Sequence, residues 1–224
     1  MSLIELPDLI QGTDEWHNQR RGIVTASVVG KLLTTTGKVA SNDTSRAIVA
    51  QLVAERITGW TDPTYVSDDM LRGTEDEPRA IAVYSEWTGT DVTATGFMVR
   101  DDWGFDIGYS PDGLVGDDGL IECKSRRPKK HLQTILDGAV PTQNMAQVQC
   151  GLLVSGREWL DYVSYCGGMP LFVKRVLPDL EWFDAIVAAV TSFELAASLM
   201  VEQYEAATAG MPTTERTVEM EMVI

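Results

Sequence analysis

Gly108-Tyr-Ser-Pro-Asp-Gly-Leu-Val-Gly-Asp-Asp-Gly-Leu-Ile-Glu-Cys-Lys-Ser-Arg-Arg-Pro-Lys-Lys130 contains two short apolar runs, Leu114-Val115 and Leu120-Ile121, on either side of Gly116-Asp117-Asp118-Gly119. A Gly/Asp cluster between apolar runs is the local signal of a β-hairpin. Residues two apart on a strand share a face, so Glu122 and Lys124 point the same way, and the hairpin can return Asp112 toward them. Two carboxylates and an ammonium converging beside a sheet can hold a hard divalent cation and steer a water. The bland alternative is a solvated hairpin with an acidic turn and a basic tail, because the bare spacing has little specificity. Two details weigh against it. Ser110-Pro111-Asp112-Gly113 makes a stiff turn at the first acid, and Leu-Ile-Glu-Cys-Lys places both charges in an otherwise apolar strand, where charges need partners.

Composition narrows the class. A chain of 224 residues with 44% hydrophobic content can bury one sizeable core, and no linker divides it, so a single domain over residues 1–224 is expected. No run of eighteen or more apolar residues predicts a membrane span. The N-terminus lacks the basic start and long apolar run of a secretory signal. Cys123, Cys150 and Cys166 form neither a disulfide framework nor a Cys-x-x-Cys site, which fits a reducing cytoplasm. The net charge of −15 excludes a basic nucleic-acid coat protein. Basic residues nevertheless cluster at Arg20-Arg21 and over Lys124–Lys130, and the latter run could form a local duplex track.

Working outward, a short helix is expected around Asp14–Arg20, broken by Gly22, with a second beginning after Ser27. Thr25 or Ser27 would then cap it, and a helix start near Arg20 can receive a phosphate. Equally, Arg20 could simply pair with Asp14 or Glu15, and His17 reads as a packing residue. Residues 34–43 read as a polar loop. Thr44–Thr58 reads as a helix with Ile48, Leu52 and Ile57 on its stripe, stopped by Gly59. Ser67–Trp87 is mostly helical with Pro78 opening or kinking it. There Glu77 shares the inward stripe with Ile81 and Tyr84, where a metal cluster, Arg79 or Arg72 would satisfy it. Strand pieces follow at Thr95–Val99 and Phe105–Ile107, then a helix over Pro141–Leu153 in which Gln147 either reaches the carboxylates or faces solvent. Asp161–Tyr165 and Leu171–Val176 read as an antiparallel pair joined at Gly167-Gly168. A long helix spans Asp179–Ala206, and residues 207–224 read as a tail or an oligomer contact.

Five motifs occur in one order: Trp16-x-x-x-Arg20-x-Gly22-Ile23-Val24-Thr25-Ala26-Ser27, Gly73-x-x-x-Glu77-x-x-Ala80, Ser110-Pro111-Asp112-Gly113, Leu120-Ile121-Glu122-Cys123-Lys124 and Met145-Ala146-Gln147-Val148-Gln149. Together they resemble the lambda exonuclease and YqaJ-type viral recombination nucleases, metal-dependent nucleases of the Pro-Asp…Asp/Glu-x-Lys type. The resemblance runs from about Gly12 to the final helix. It implies an α/β fold with a restriction-endonuclease-like core, a central mixed β-sheet flanked by helices. It also implies a Mg²⁺-dependent 5′-to-3′ exonuclease acting on double-stranded DNA ends, with two ions and Mn²⁺ as a substitute. By the same resemblance, Asp112, Glu122 and the main-chain carbonyl of Cys123 bind metal, and Glu77 completes the acidic site. Lys124 orients or deprotonates the attacking water, Gln147 supports it, and Arg20, Ser27 and Ser110 bind the 5′-phosphate. The family further implies a ring of three subunits and a single-strand annealing protein as partner. This chain departs at Asn144, where the family often has an aromatic residue, and in the strongly basic run after Lys124. The competing readings are an endonuclease or resolvase of the same superfamily and a DNA-end-binding scaffold with a silent site. The scaffold would be expected to lack a carboxylate or the lysine, and all are present. An iron–sulfur relative would need four suitable cysteines.

Overall fold

The computed structural model describes residues 2–63 and 65–216. In order, the chain forms β1 (Leu3–Leu6), α1 (Asp14–Arg20), β2 (Val24–Thr25), α2 (Ala26–Val29), a 3-10 turn (Gly30–Leu32), α3 (Asp43–Thr58) and α4 (Asp68–Thr88). It continues through β3 (Val92–Thr93), β4 (Phe97–Arg100), β5 (Ile107–Tyr109), β6 (Gly113–Val115), β7 (Gly119–Ser125), α5 (Pro128–Asp137), α6 (Thr142–Ser155), β8 (Trp159–Tyr165), β9 (Phe172–Val176) and α7 (Leu180–Thr208).

The fold is mixed α/β, and the expected central sheet resolves into two. One has the order β1-β4-β5-β2, the other β3-β6-β7-β8-β9, and each holds one parallel pair, β2 with β5 and β7 with β8. The chain passes from one sheet to the other over Ser110-Pro111-Asp112. Pro111 has no N–H to give a ladder, so pairing breaks there and the two sheets diverge. That break is what frees Asp112 from the sheet.

The helices follow from their caps and faces. Asn42 and Ser45 form a reciprocal capping box at the start of α3, and Gly59 closes it in the left-handed region at φ 61°. Glu55 is buried on α3, while Ile57, expected on the inner stripe, is exposed. Ser67 caps α4, which runs through Pro78 without a break; Pro78 and Thr74 are both exposed, so the carbonyl freed by the proline meets water. α5 takes in the end of the basic run, Lys129 and Lys130, with Pro128 in its first turn, a position that suits proline. No helix was expected there.

The larger core packs Val148, Cys150, Leu152 and Val154 of α6 between the sheets and α3 and α7. Gly151 lets α6 settle on β5: a Cβ there would lie 2.7 Å from the Tyr109 ring. A smaller core joins Ala80 and Tyr84 of α4 to Ile121, Cys123 and Val163. β7 therefore presents odd-numbered residues to α4 and even-numbered ones to α6. Among the described residues α7 alone is long and apolar enough to cross a membrane by length and composition, which the run-length expectation above did not anticipate. One face of α7, with Ile186, Val190 and Phe193, is buried in the core. Of the expected tail, Arg216 lies 5.2 Å from the Trp60 ring centroid, and residues 217–224 fall outside the described residues.

Candidate active site

β6 ends its pairing with β7 at Gly113 opposite Ile121, so β7 has an unpaired edge from Glu122 onward while β8 covers the other side. The Asp112 carboxylate fills this gap, with its Oδ2 accepting the Cys123 N–H at 2.6 Å. Both polar groups of a strand residue face the same edge, so the Cys123 carbonyl is directed there too.

Glu122 is 1% exposed and is the hub of the cluster. Its Oε1 accepts from the Lys124 ammonium and from Gln147 Nε2 at 2.6 Å, while the Tyr109 hydroxyl lies 3.5 Å from Oε2. Gln147 therefore faces the carboxylates and not solvent. Burial, followed by the nearby Glu122 charge, pushes the Asp112 carboxyl well above its usual range. The Glu77 carboxyl is raised by the same two causes. Burial opposes the charge on Lys124, yet Glu122 and Asp112 outweigh it and raise the ammonium above an ordinary lysine. Three carboxylates thus press on one ammonium, a negative surplus in hard oxygen donors that a divalent cation would relieve. The donor chemistry fits such an ion. Even so, no group of three His, Cys, Asp or Glu side chains among the described residues stands ready as a metal cage, and Glu122 Oε1 is engaged by Lys124 and Gln147.

Glu77 makes neither of its expected pairings. Arg79 bonds the adjacent Asp76 at 3.0 Å, and Arg72 reaches Asp69 and Ser125. Ser125 Oγ in turn donates to Asp76 at 2.7 Å, so the end of β7 is tied to α4 one residue from Glu77. Asp76 carries no motif, and its partner is distant in sequence.

Arg20, Ser27 and Ser110 come together in a second cluster. The Arg20 guanidinium lies 3.9 Å above the Trp16 ring and donates to Ser27 Oγ at 3.2 Å and Thr25 Oγ1 at 3.4 Å. Trp16 Nε1 donates to Ser110 Oγ at 2.9 Å. Among the described residues no carboxylate pairs with Arg20, so the expected alternative of Asp14 or Glu15 is not realised. Burial lowers Arg20 to about 10, against a weaker opposing pull from Glu55. Thr25 holds the cap position of α2 but caps nothing; its hydroxyl faces Arg20 and Ser27, 3.1 Å from the latter. The Gly22 turn before it is held from α3, where Glu55 Oε2 accepts the Gly22 N–H and Arg56 Nε donates to the Gly22 carbonyl. Trp16 was visible as a motif letter, but its bond to Ser110, 94 residues away, was not.

The basic run is not an open track. Arg127 pairs with Asp69, and Arg126 donates to Asn144 Oδ1 and the Tyr162 hydroxyl. Lys129 and Lys130 remain exposed.

Comparison with known proteins identifies the family and the fold. The YqaJ-like viral recombinase domain model matches residues 15–158. Among solved structures, an alkaline exonuclease, LHK-Exo, from Laribacter hongkongensis is 33% identical, with a TM-score of 0.79 over 89% of this chain and 100% of that one. Its complex with dAMP matches at 0.78 with the same identity and coverage. A phage-related exonuclease from Haemophilus somnus 129PT shares the fold at 16% identity, with a TM-score of 0.61 over 84% of this chain and 99% of that one. No curated protein sequence gives a significant match. The chain belongs to the YqaJ-like viral recombinase domain family.

Proposed function

We propose that this protein is a Mg²⁺-dependent 5′-to-3′ exonuclease that digests one strand of duplex DNA from its ends and leaves 3′ single-stranded tails for recombination. The observation that carries this reading is the coupling of two clusters. An arginine without a carboxylate partner is joined through Trp16 to Ser110, and Ser110 stands two residues before Asp112 in the acidic cluster. A pocket for a terminal 5′-phosphate is thereby held at a fixed reach from a phosphodiester-cleaving centre. The names of the relatives support the same reading, since LHK-Exo is an alkaline exonuclease and one of its structures holds dAMP.

Asp112, Glu122 and the Cys123 carbonyl would hold Mg²⁺ (two ions, with Mn²⁺ able to substitute), with Glu77 contributing directly or through water. When bound, such ions neutralise charge on the phosphate and make water a stronger nucleophile. The chain's own groups do the rest. Lys124, kept as an ammonium by Glu122 and Asp112, orients the attacking water as a charged donor. Gln147 fixes the rotamer of Glu122 from α6, and Tyr109 closes the inner side of the cluster against bulk water. Arg20, Ser27, Thr25 and Ser110 bind the 5′-phosphate of the digested strand. A ring of three subunits and a single-strand annealing partner belong to this proposal on the family resemblance alone.

The test is digestion of linear duplex DNA labelled at one 5′ end, with Mg²⁺ or with EDTA, beside a covalently closed circle. The expected result is Mg²⁺-dependent release of labelled mononucleotide with the circle intact. Nicking of the circle would make the protein an endonuclease, and end binding without cleavage would make it a scaffold.

A further inference from the structure

We propose that Arg126 is a second phosphate contact, taking the backbone phosphate adjacent to the one cleaved at the acidic cluster; this rests on the nuclease reading above. Glu122 and Lys124 share one face of β7 and Arg126 follows in the same alternation just past its end, and two residues of extended chain advance about 6.5 Å, close to the spacing of neighbouring phosphates along a strand. The Arg126 N–H donates to the Tyr165 carbonyl at 2.8 Å, which extends the pairing with β8 past the end of β7 and anchors this residue. From α6, Asn144 reaches Arg126 just as Gln147, one turn on, reaches Glu122.

What Arg126 touches points to a missing anion. Its Nη2 donates to Asn144 Oδ1 at 2.6 Å and to the Tyr162 hydroxyl at 3.1 Å. Both acceptors are neutral, and no carboxylate among the described residues pairs with it. Nε is buried and has no acceptor among the described residues. Nη1 makes no hydrogen bond among the described residues, and the Arg126 residue is partly exposed. A guanidinium serving only to pin β7 to α6 is most stable when a carboxylate closes its fork. Asn144 and Tyr162 fix the direction of this one and leave its charge uncompensated, which is the preparation a phosphate oxygen requires. In a chain of net charge −15, phosphate contacts must be built locally in this way.

The experiment measures binding of a fluorescein-labelled blunt DNA duplex in EDTA over a range of salt concentrations. Each phosphate neutralised contributes about 0.9 to the slope of log K against log salt. Arg126→Gln should weaken binding several-fold at low salt and flatten the slope by about 0.9, whereas Arg126→Lys should keep most of the slope. Asn144→Asp supplies the absent carboxylate and should flatten the slope like Arg126→Gln while leaving or raising the melting temperature. It also carries the test if Arg126→Gln fails to fold. An unchanged slope in Asn144→Asp, or in folded Arg126→Gln, overturns the inference and leaves Arg126 a structural pin. If the unaltered protein shows no salt-dependent end binding, the nuclease reading itself fails, and this inference with it.

Discussion

Two arginines of this chain lie over tryptophan rings. Arg175 sits 3.6 Å from the Trp159 ring centroid and Arg20 sits 3.9 Å from that of Trp16. Arg175 also grips Asp161 with both Nε and Nη2 at 2.9 Å, and the Tyr84 hydroxyl donates to the same carboxylate at 2.7 Å. Among the described residues Arg20 has two hydroxyls and no carboxylate. The hydrogen bonds that Arg175 gives to Asp161 raise it above an ordinary arginine, while burial lowers Arg20 to about 10. The stacking is common to both, and the anion is the difference. Where the chain supplies its own carboxylate, the cation ties β9 to β8, and Tyr84 of α4 joins the same carboxylate. Where it supplies hydroxyls, burial leaves the charge destabilised, and the function proposed above gives that charge a terminal phosphate. Arg126 resembles Arg20 in having neutral acceptors, Asn144 and Tyr162, and no carboxylate among the described residues.

This contrast can be broken in graded steps. The largest effect is expected where the two kinds of cation meet, at Lys124, which is bonded to Glu122 yet stands in the site. Lys124→Ala should lower cleavage by about 10²- to 10³-fold, the usual share of one positioned donor, with end binding retained in a gel-shift assay; unchanged turnover would remove Lys124 from the chemistry. Next comes Arg175→Ala. Breaking a fully buried pair costs about 3–5 kcal/mol, but Arg175 is half exposed and screened, so about 2 kcal/mol is expected by urea unfolding. If folded Arg175→Ala instead lost end binding at unchanged stability, the division between the two arginines would collapse. Arg20→Ala should do the reverse, weakening binding to 5′-phosphorylated ends by roughly tenfold while changing stability by about 1 kcal/mol or less. The smallest effect is that of Tyr84→Phe, which removes one bond to Asp161 and should cost about 1 kcal/mol in the same unfolding titration.

Local signals in the sequence located much of this. Gly116 and Gly119 around the turn, alternation through Glu122 and Lys124, and Gly22 and Gly59 as helix stops all act within a few residues. The ends of α1 and the pairing of β8 with β9 were legible for the same reason. The ordered motifs pointed to the family. What escaped depended on contacts distant in sequence. The run after Lys124 read as free charge because its partners Asp69 on α4, and Asn144 and Tyr162 on α6 and β8, are supplied by tertiary packing. α5 was hidden behind that charge, although Pro128 is a permissible helix start. Asp76 was passed over for Glu77 because helical periodicity places both near the inner face. Only the fold shows that Ser125 bonds the first and leaves the second to the acidic cluster. The division into two sheets depends on Pro111, which was read as stiffening a turn and not as ending a ladder.

The most direct test of the account compares digestion of linear duplexes carrying 5′-phosphate or 5′-hydroxyl ends by the unaltered protein and by Arg20→Ala, with Mg²⁺ present. If Arg20 is a charge held for the terminal phosphate, the unaltered protein will digest phosphorylated ends faster and the substitution will abolish the difference. A preference for phosphorylated ends that survives Arg20→Ala in full would contradict it.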